Sequence, residues 1–314
     1  MKKYILLITI IYAVACKLPT NPDKQYSNKG QASIYNLHLN PAIGSNYQYE
    51  MINESRFEME VNDKKVKNEN KTTVGFNYAV DKDSAGNFVF AMKYDKIQIH
   101  TQNDDNEFDQ DADNAALTDK PVEKLLGILK QAHIIATINP LGQVKKVDGY
   151  NELTAKILES FGNADAYTKS KAQEQWKQFI EKGVIQKGMN QLFKVFPDSA
   201  VHVGDTWKLS SGETEALGMN VVSFLTLKEM DNNLAIISVE GDIGSDNSTL
   251  DLMGQKVSAN LKGKQEGEYQ LDIKEGMLLK GSITAKVKGT IKMTGKEIPV
   301  DIETSVIING KKVQ

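Results

Sequence analysis

The stretch that decides the fold is Gly44-Ser45-Asn46-Tyr47-Gln48-Tyr49-Glu50-Met51. Tyr47, Tyr49 and Met51 stand at every second position with polar residues between them, the period of a strand that buries one face and wets the other. Toward the C-terminus, Phe57, Met59 and Val61 keep that period. Asn62-Asp63-Lys64-Lys65 reads as a turn before Val66, and Phe76, Tyr78 and Val80 form the next alternating run. Turn chemistry returns at Asp83-Ser84-Ala85-Gly86-Asn87, after which Phe88 to Ile99 alternates again. The pattern predicts a meander of antiparallel strands with one solvated face.

Further outward, Gln102 to Asn114 is acidic and nearly devoid of apolar groups, which predicts a loop. Thr118-Asp119-Lys120-Pro121 supplies a capping residue and an early proline for a helix striped with Val122, Leu125, Leu126 and Leu129. His133 to Ile138 and Gln143 to Val147 read as two short strands around Asn139-Pro140-Leu141-Gly142. From Tyr150 to Phe196 the spacing is helical, with Leu153, Ile157 and Phe161 on one stripe and Trp176, Phe179, Ile180 and Val184 on another. Strands resume from Val201 to Gln314, with turns at Gly241, Gly244, Gly254, Gly263, Gly276 and Gly281. Gly204-Asp205-Thr206-Trp207 echoes Gly44-Ser45-Asn46-Tyr47, and Ile138 to Val144 echoes Ile273 to Leu278. The echo fits a duplicated half, and more simply the shared look of β-hairpins. The expected fold class is mainly β (α+β): curved antiparallel sheets, in two echoing halves on one reading, with a helical insertion.

On the N-terminal side, Lys17 to about Asn40 is rich in Pro, Asn, Lys and Ser, a composition that buries little and predicts a flexible tether. Before it, Lys2 and Lys3 form a positive n-region. Tyr4 to Tyr12 form an apolar h-region too short to span a bilayer of ~30 Å, and Ala13-Val14-Ala15 precede Cys16. This run resembles the lipobox of bacterial lipoproteins, with Ala13 where Leu is usual. The resemblance implies a thioether-linked diacylglycerol on Cys16, cleavage before it, and acylation, for instance by palmitate, of the freed amine. Each buried methylene contributes about 0.8 kcal/mol, so two or three chains hold firmly where one would not. The alternative is an ordinary secretory signal with Cys16 as an incidental thiol; Cys16 is the one cysteine and has no disulfide partner in the chain. The expected organisation is 1–15 signal peptide, 16–40 tether, 41–149 a β-rich half with one short helix, 150–196 a helical segment and 197–314 a second β-rich half.

The 314 residues allow one large domain or two. Acids outnumber bases by 41 to 38, which leaves no positive field for polyphosphate and excludes nucleic acid as a partner. Without further cysteines, the exported domain must be held by its core rather than by disulfides.

Taken together, several features resemble a family of Bacteroidota lipoproteins of unknown function. They are Cys16, the run Ile138-x-Pro140-x-Gly142-x-Val144 with Val147 and Gly149, the string Phe196-Pro197 followed by Val203-Gly204-Asp205-Thr206-Trp207, and the hairpin Asp272 to Leu279. The resemblance implies an envelope location and a β-rich fold, and it carries over no catalytic residue.

No metalloprotease, nucleophile-elbow, Walker or dinucleotide fingerprint occurs. His38, His100, His133 and His202 are scattered, with no other metal-ligand type at clean spacing. Asp109-x-Asp111-x-Asp113 matches the first ligand positions of a calcium loop, but Asn114 replaces its glycine and Lys120 its bidentate acid, so a solvated acidic loop is the preferred reading. Trp207 and Trp176 read as core anchors rather than sugar platforms. No catalytic residue, resident metal or cofactor is expected.

Three functions remain. One is a membrane-tethered, non-catalytic module whose curved sheet and helices enclose a lipid or other apolar ligand. A second is a scaffold docking another envelope protein. The third and weakest is a hydrolase with dispersed residues. Lys17 after Cys16, in place of an acid, favours the outer membrane.

Overall fold

The computed structural model describes residues 33–61, 64–83, 85–104, 106–116, 121–160, 192–210, 220–252, 255–293 and 295–313, together with Gly162, Ser170, Met189 and Asn190. The signal segment, Cys16, residues 17–32 of the tether, Thr118 to Lys120, Phe161, the Trp176–Val184 stripe and Gly254 lie outside the described residues.

The elements in chain order are β1 (Asn46–Val61), β2 (Lys64–Lys82), β3 (Phe88–Asn103), β4 (Asn106–Asp111), α1 (Pro121–Lys130), β5 (His133–Ile138), β6 (Val144–Asp148) and α2 (Tyr150–Ser160), followed by β7 (Thr206–Ser210), β8 (Asn220–Asp231), β9 (Leu234–Leu252), β10 (Gln255–Asp272), β11 (Met277–Met293) and β12 (Lys296–Val313). The strands form one sheet in the order β6-β5-β3-β2-β1-β12-β11-β10-β9-β8-β7, with β4 added beside β3. The sequence suggested several sheets; the structure has one. The reason is the pairing of β1 with β12, unbroken from Asn46↔Val313 to Met59↔Val300, which joins two meanders edge to edge. The helical insertion is modest among the described residues, with α2 the one named helix of residues 150–196.

Gln102 to Asn114 is not a loop. Strand β5 pairs only with Phe88 to Lys93 of β3, which leaves the rest of that edge free. Asn106 to Asp111 fill it as β4, from Asn103↔Asn106 to Gln98↔Asp111. A capped edge satisfies backbone groups that would otherwise seek another chain. A single 3-10 turn, Ala112–Asn114, follows.

Strand alternation sends Tyr47, Tyr49, Met51, Phe57 and Met59 to one face, where their partners across the register are Tyr78, Phe76 and Val74 of β2 and Ile308, Ile302 and Val300 of β12. That face is concave. Strands β6 and β7 are opposite edges of the sheet, yet residues 193–195 touch both. A side-chain carbon at Gly142, in the β5–β6 turn, would fall 1.8 Å from the Phe193 carbonyl oxygen. Two residues later, the Val195 carbonyl accepts a hydrogen bond from Trp207 Nε1 of β7 at 3.2 Å. The sheet therefore curls far enough for one short segment to bridge its edges.

Inward-facing glycines make room for the curl. Gly310 stands opposite Tyr49 and Gly281 opposite Tyr269, each beneath the ring of its partner. Small residues under large ones let a sheet coil tightly without a gap. Helix α1 lies on the same face, where Leu126 meets Ile97 and Ala112, and α2 buries Leu153 and Ile157.

Residues 35–40, assigned by composition to the tether, belong to the core instead. Leu37 and Leu39 are buried. Tyr35 bridges Val201, Leu39 N–H donates to the Pro140 carbonyl (2.7 Å), and Asn40 N–H donates to the Glu275 carbonyl (2.8 Å). Their polar neighbours hid this two-residue apolar alternation.

Candidate functional site

The concave face carries three zones. At the end where β1 begins, the near end, aromatic rings fill the space. Tyr49, Phe76, Tyr78, Phe90 and Phe193 follow one another in contact, with centroids 5.7 Å apart for Tyr49–Phe76 and 4.8 Å for Phe90–Phe193. The Tyr49 hydroxyl donates to the Leu278 carbonyl (2.8 Å) and that of Tyr47 to Glu275 Oε2 (2.6 Å). Burial pushes both phenols well above their usual range. The turns at this end are closed by short polar side chains: Asn139 Oδ1 accepts from Gln143 N–H and Asp272 Oδ1 from Lys274 N–H, each at 2.8 Å. Trp207 packs on this core, as read from the sequence.

Across the middle runs a polar row. Ser223, Gln265, Thr304, Ser55, Asn70 and Thr101 occupy one level of strands β8, β10, β12, β1, β2 and β3, with Gly241 and Ala285 between. Gln265 Nε2 donates to Ser223 Oγ (2.7 Å) and Thr101 Oγ1 to Asn70 Oδ1 (2.8 Å). Ser55, Gln265 and Thr304 are each less than a tenth exposed. Beside the row, Asn53 Oδ1 is buried with no hydrogen-bond partner. Such a group costs about 1–3 kcal/mol unless something meets it.

Beyond the row, toward the far end, a second apolar cluster includes Leu261, Val287, Ile291, Ile298, Val300 and Ile302, with Phe57 and Met59 at its margin. Among the described residues, all of its members belong to strands.

The convex face is charged. Glu303 meets Arg56 (3.4 Å) on one side and Lys286 (3.1 Å) on the other, and Lys288 pairs with Asp301 (2.7 Å). An outer-membrane barrel turns an apolar band to lipid; this face turns ion pairs outward. Among the described residues, no helix is long and apolar enough to cross a membrane.

Asp109, Asp111 and Asp113 each have their own partner. Asp109 Oδ1 lies 2.8 Å from His100 Nδ1. Asp111 accepts from the Asp113 N–H (2.9 Å) and from Gln98 Nε2 (2.7 Å), and these bonds, the backbone one foremost, hold its carboxyl below the usual range. Asp113 pairs with Lys130. On a strand, Asp109 and Asp111 stand roughly 7 Å apart at their Cα atoms, on the same side of β4. The register instead gathers His100, Glu107 and Asp109, whose donor atoms lie within 4.8 Å of one another. Sequence reading missed that group. The signal was the hairpin register 103↔106, which forces 100↔109 once β4 is seen as a strand. His202 pairs with Asp205 (3.2 Å) and His38 with the Asn36 carbonyl (3.0 Å), neither near a second carboxylate in those contacts.

The sequence pattern of the family of unknown function DUF6263 matches residues 85–278, more than half of the chain. The chain belongs to that family. No curated protein matches it. Among solved structures, one described as "Lipid-protein interactions in lipovitellin" is similar with a TM-score of 0.49 and 10% identity, over 87% of this chain and 26% of that one. Two Pseudomonas aeruginosa proteins, OpdQ and OccK5 (OpdH), each at 6% identity, give TM-scores of 0.20 and 0.22 over 86% and 87% of this chain and 99% and 100% of theirs. This chain thus spans about a quarter of the lipovitellin chain's length. None of these likenesses is near enough to carry a ligand, partner or activity across.

Proposed function

We propose that this chain is a lipid-anchored protein of the bacterial envelope, held at the outer membrane through Cys16, whose curled sheet binds an amphiphile without catalysing a reaction. The observation that carries this reading is the layering of the concave face: a far-end apolar cluster bordered by a buried polar row beside which Asn53 Oδ1 has no partner. An acyl chain suits the apolar strands. A hydroxyl or amide headgroup suits Asn53, whose carbonyl oxygen would accept its hydrogen. Apolar sites with a few placed polar groups are the common form of small-molecule pockets. The charged convex face supports a domain standing in water, tethered to the membrane rather than inserted in it.

Two measurements test it. Replacing Cys16→Ser should move the protein from the membrane to the soluble fraction, and the wild-type N-terminal peptide should carry the mass of its acyl groups. Organic extraction of the purified Cys16→Ser protein, which lacks the anchor, should still release acyl lipid in proportion to protein. A wild-type chain found in the aqueous fraction refutes the anchor, and a lipid-free Cys16→Ser extract refutes the ligand.

A further inference from the structure

On the opposite, convex face, we propose that His100, Glu107 and Asp109 form a site for a divalent transition-metal ion of the zinc class. The three side chains come from two directly paired strands. His100 of β3 stands opposite Asp109 of β4, and Glu107 lies two residues back on the same side of β4. His100 Nδ1 is 2.8 Å from Asp109 Oδ1 and 3.8 Å from Glu107 Oε1. Zinc bonds to nitrogen and oxygen of about 2.0–2.2 Å set tetrahedral ligand atoms roughly 3.4 Å apart. Small rotations of two exposed carboxylates reach that spacing while the strands hold the backbone fixed.

The donor set chooses the ion. An imidazole with two carboxylates suits zinc, cobalt or nickel, whereas calcium and magnesium take oxygen donors throughout. Two carboxylates offset the charge of a divalent ion. The nearest cation across the register, Lys71, is engaged by Glu54 on the next strand (2.8 Å). A cleft of about 390 Å³ adjoins the group, lined by His100 and Asp109 as well as Gln98, Asp111 and Asn114. A fourth coordination position open to that cleft would admit water or an exchangeable ligand, as in metal sites that are not closed by protein. This site shares no residue with the concave face, so it stands or falls apart from the amphiphile.

The test titrates the chelator-stripped full chain with Zn2+ by calorimetry, carrying Cys16→Ser so that no thiol competes. One ion should bind per chain, and excess Ca2+ should not displace it. His100→Ala should weaken binding at least about tenfold, since loss of even an outer-shell partner costs that much. Asp109→Asn should act likewise, and Asp113→Asn should change nothing. Co2+ should give visible absorption bands that vanish in His100→Ala, a readout separate from stability. Absence of saturable Zn2+ binding, unchanged affinity in His100→Ala, or displacement by Ca2+ would overturn the site.

Discussion

The two ends of the concave face obey the same two-residue alternation and, among the described residues, are lined by different elements. At the near end, strands β1 to β3 bring Tyr49, Tyr78 and Phe90 together, and two chain segments from outside the sheet, 35–40 and 192–201, add Leu37, Leu39, Phe193 and Val195 until rings touch rings. At the far end the same sheet continues with Leu261, Val287 and Val300, and the described lining is strands alone. A row of buried hydroxyls and amides divides the two. Alternation says which side faces inward. It does not say what fills the inside, because that depends on segments arriving from elsewhere in the chain.

The largest expected effect lies at the near end. Phe90 is fully buried between Tyr78 and Phe193, so Phe90→Ala should cost about 3–5 kcal/mol in denaturant unfolding. A loss under about 1 kcal/mol, the scale of a surface change, would mean this end is not the packed core. At the far end, Leu261→Ala should cost less, about 2–3 kcal/mol, and should lower the acyl lipid extracted per chain, which Phe90→Ala should not do in its folded fraction. Equal lipid content in both variants would erase the distinction between the ends.

Smaller effects sharpen the near end further. Trp207→Phe keeps one aromatic ring of the two and removes the hydrogen bond to the Val195 carbonyl, for a loss of at least about 1 kcal/mol. A change within error would mean that bond does not hold the edges together. Glu275 is the smallest case. Partial desolvation pushes its carboxyl up, but Lys312 and the Tyr47 hydroxyl together outweigh that and hold it below its ordinary value. A depressed folded-state value stabilises the fold above the ordinary glutamate range, and this contribution is lost as pH falls through the folded value. It should amount to less than about 1 kcal/mol, because the Lys312 end of the pair stands largely in solvent, and Glu275→Gln should flatten that part of the acid limb. An identical acid limb in the variant would show that the pair contributes nothing.

Much of this fold is legible in local sequence. Tyr47, Tyr49 and Met51 mark a strand, Pro121 and the Val122–Leu129 stripe a helix, and Asn139 to Gly142 a hairpin turn, because each signal lies within a few residues of itself. What escapes is whatever depends on distance along the chain. Nothing near Asn46 announces Val313 as its partner, yet that pairing turns two meanders into one sheet. Strand β4 escapes for a different reason: Asn106 to Asp111 carries Phe108 as its one apolar side chain, too few to show an alternation, and only the free edge of β3 makes it a strand. The candidate sites follow the same rule. The apolar residues of the far end are individually visible, but their division from the near end by Ser55, Thr304 and Gln265 appears only once the register is known. His100 and Asp109 become neighbours by that register alone.

The most direct test of the account uses a fatty acid bearing a photoreactive diazirine on its chain, activated in the presence of the purified Cys16→Ser protein and followed by peptide mapping. Saturable adducts concentrated on the inward residues of Gln255 to Ile302, around Leu261, Val287 and Val300, are the expected result. Adducts confined to the near end or the convex face, or labelling that unlabelled fatty acid fails to compete away, would contradict it.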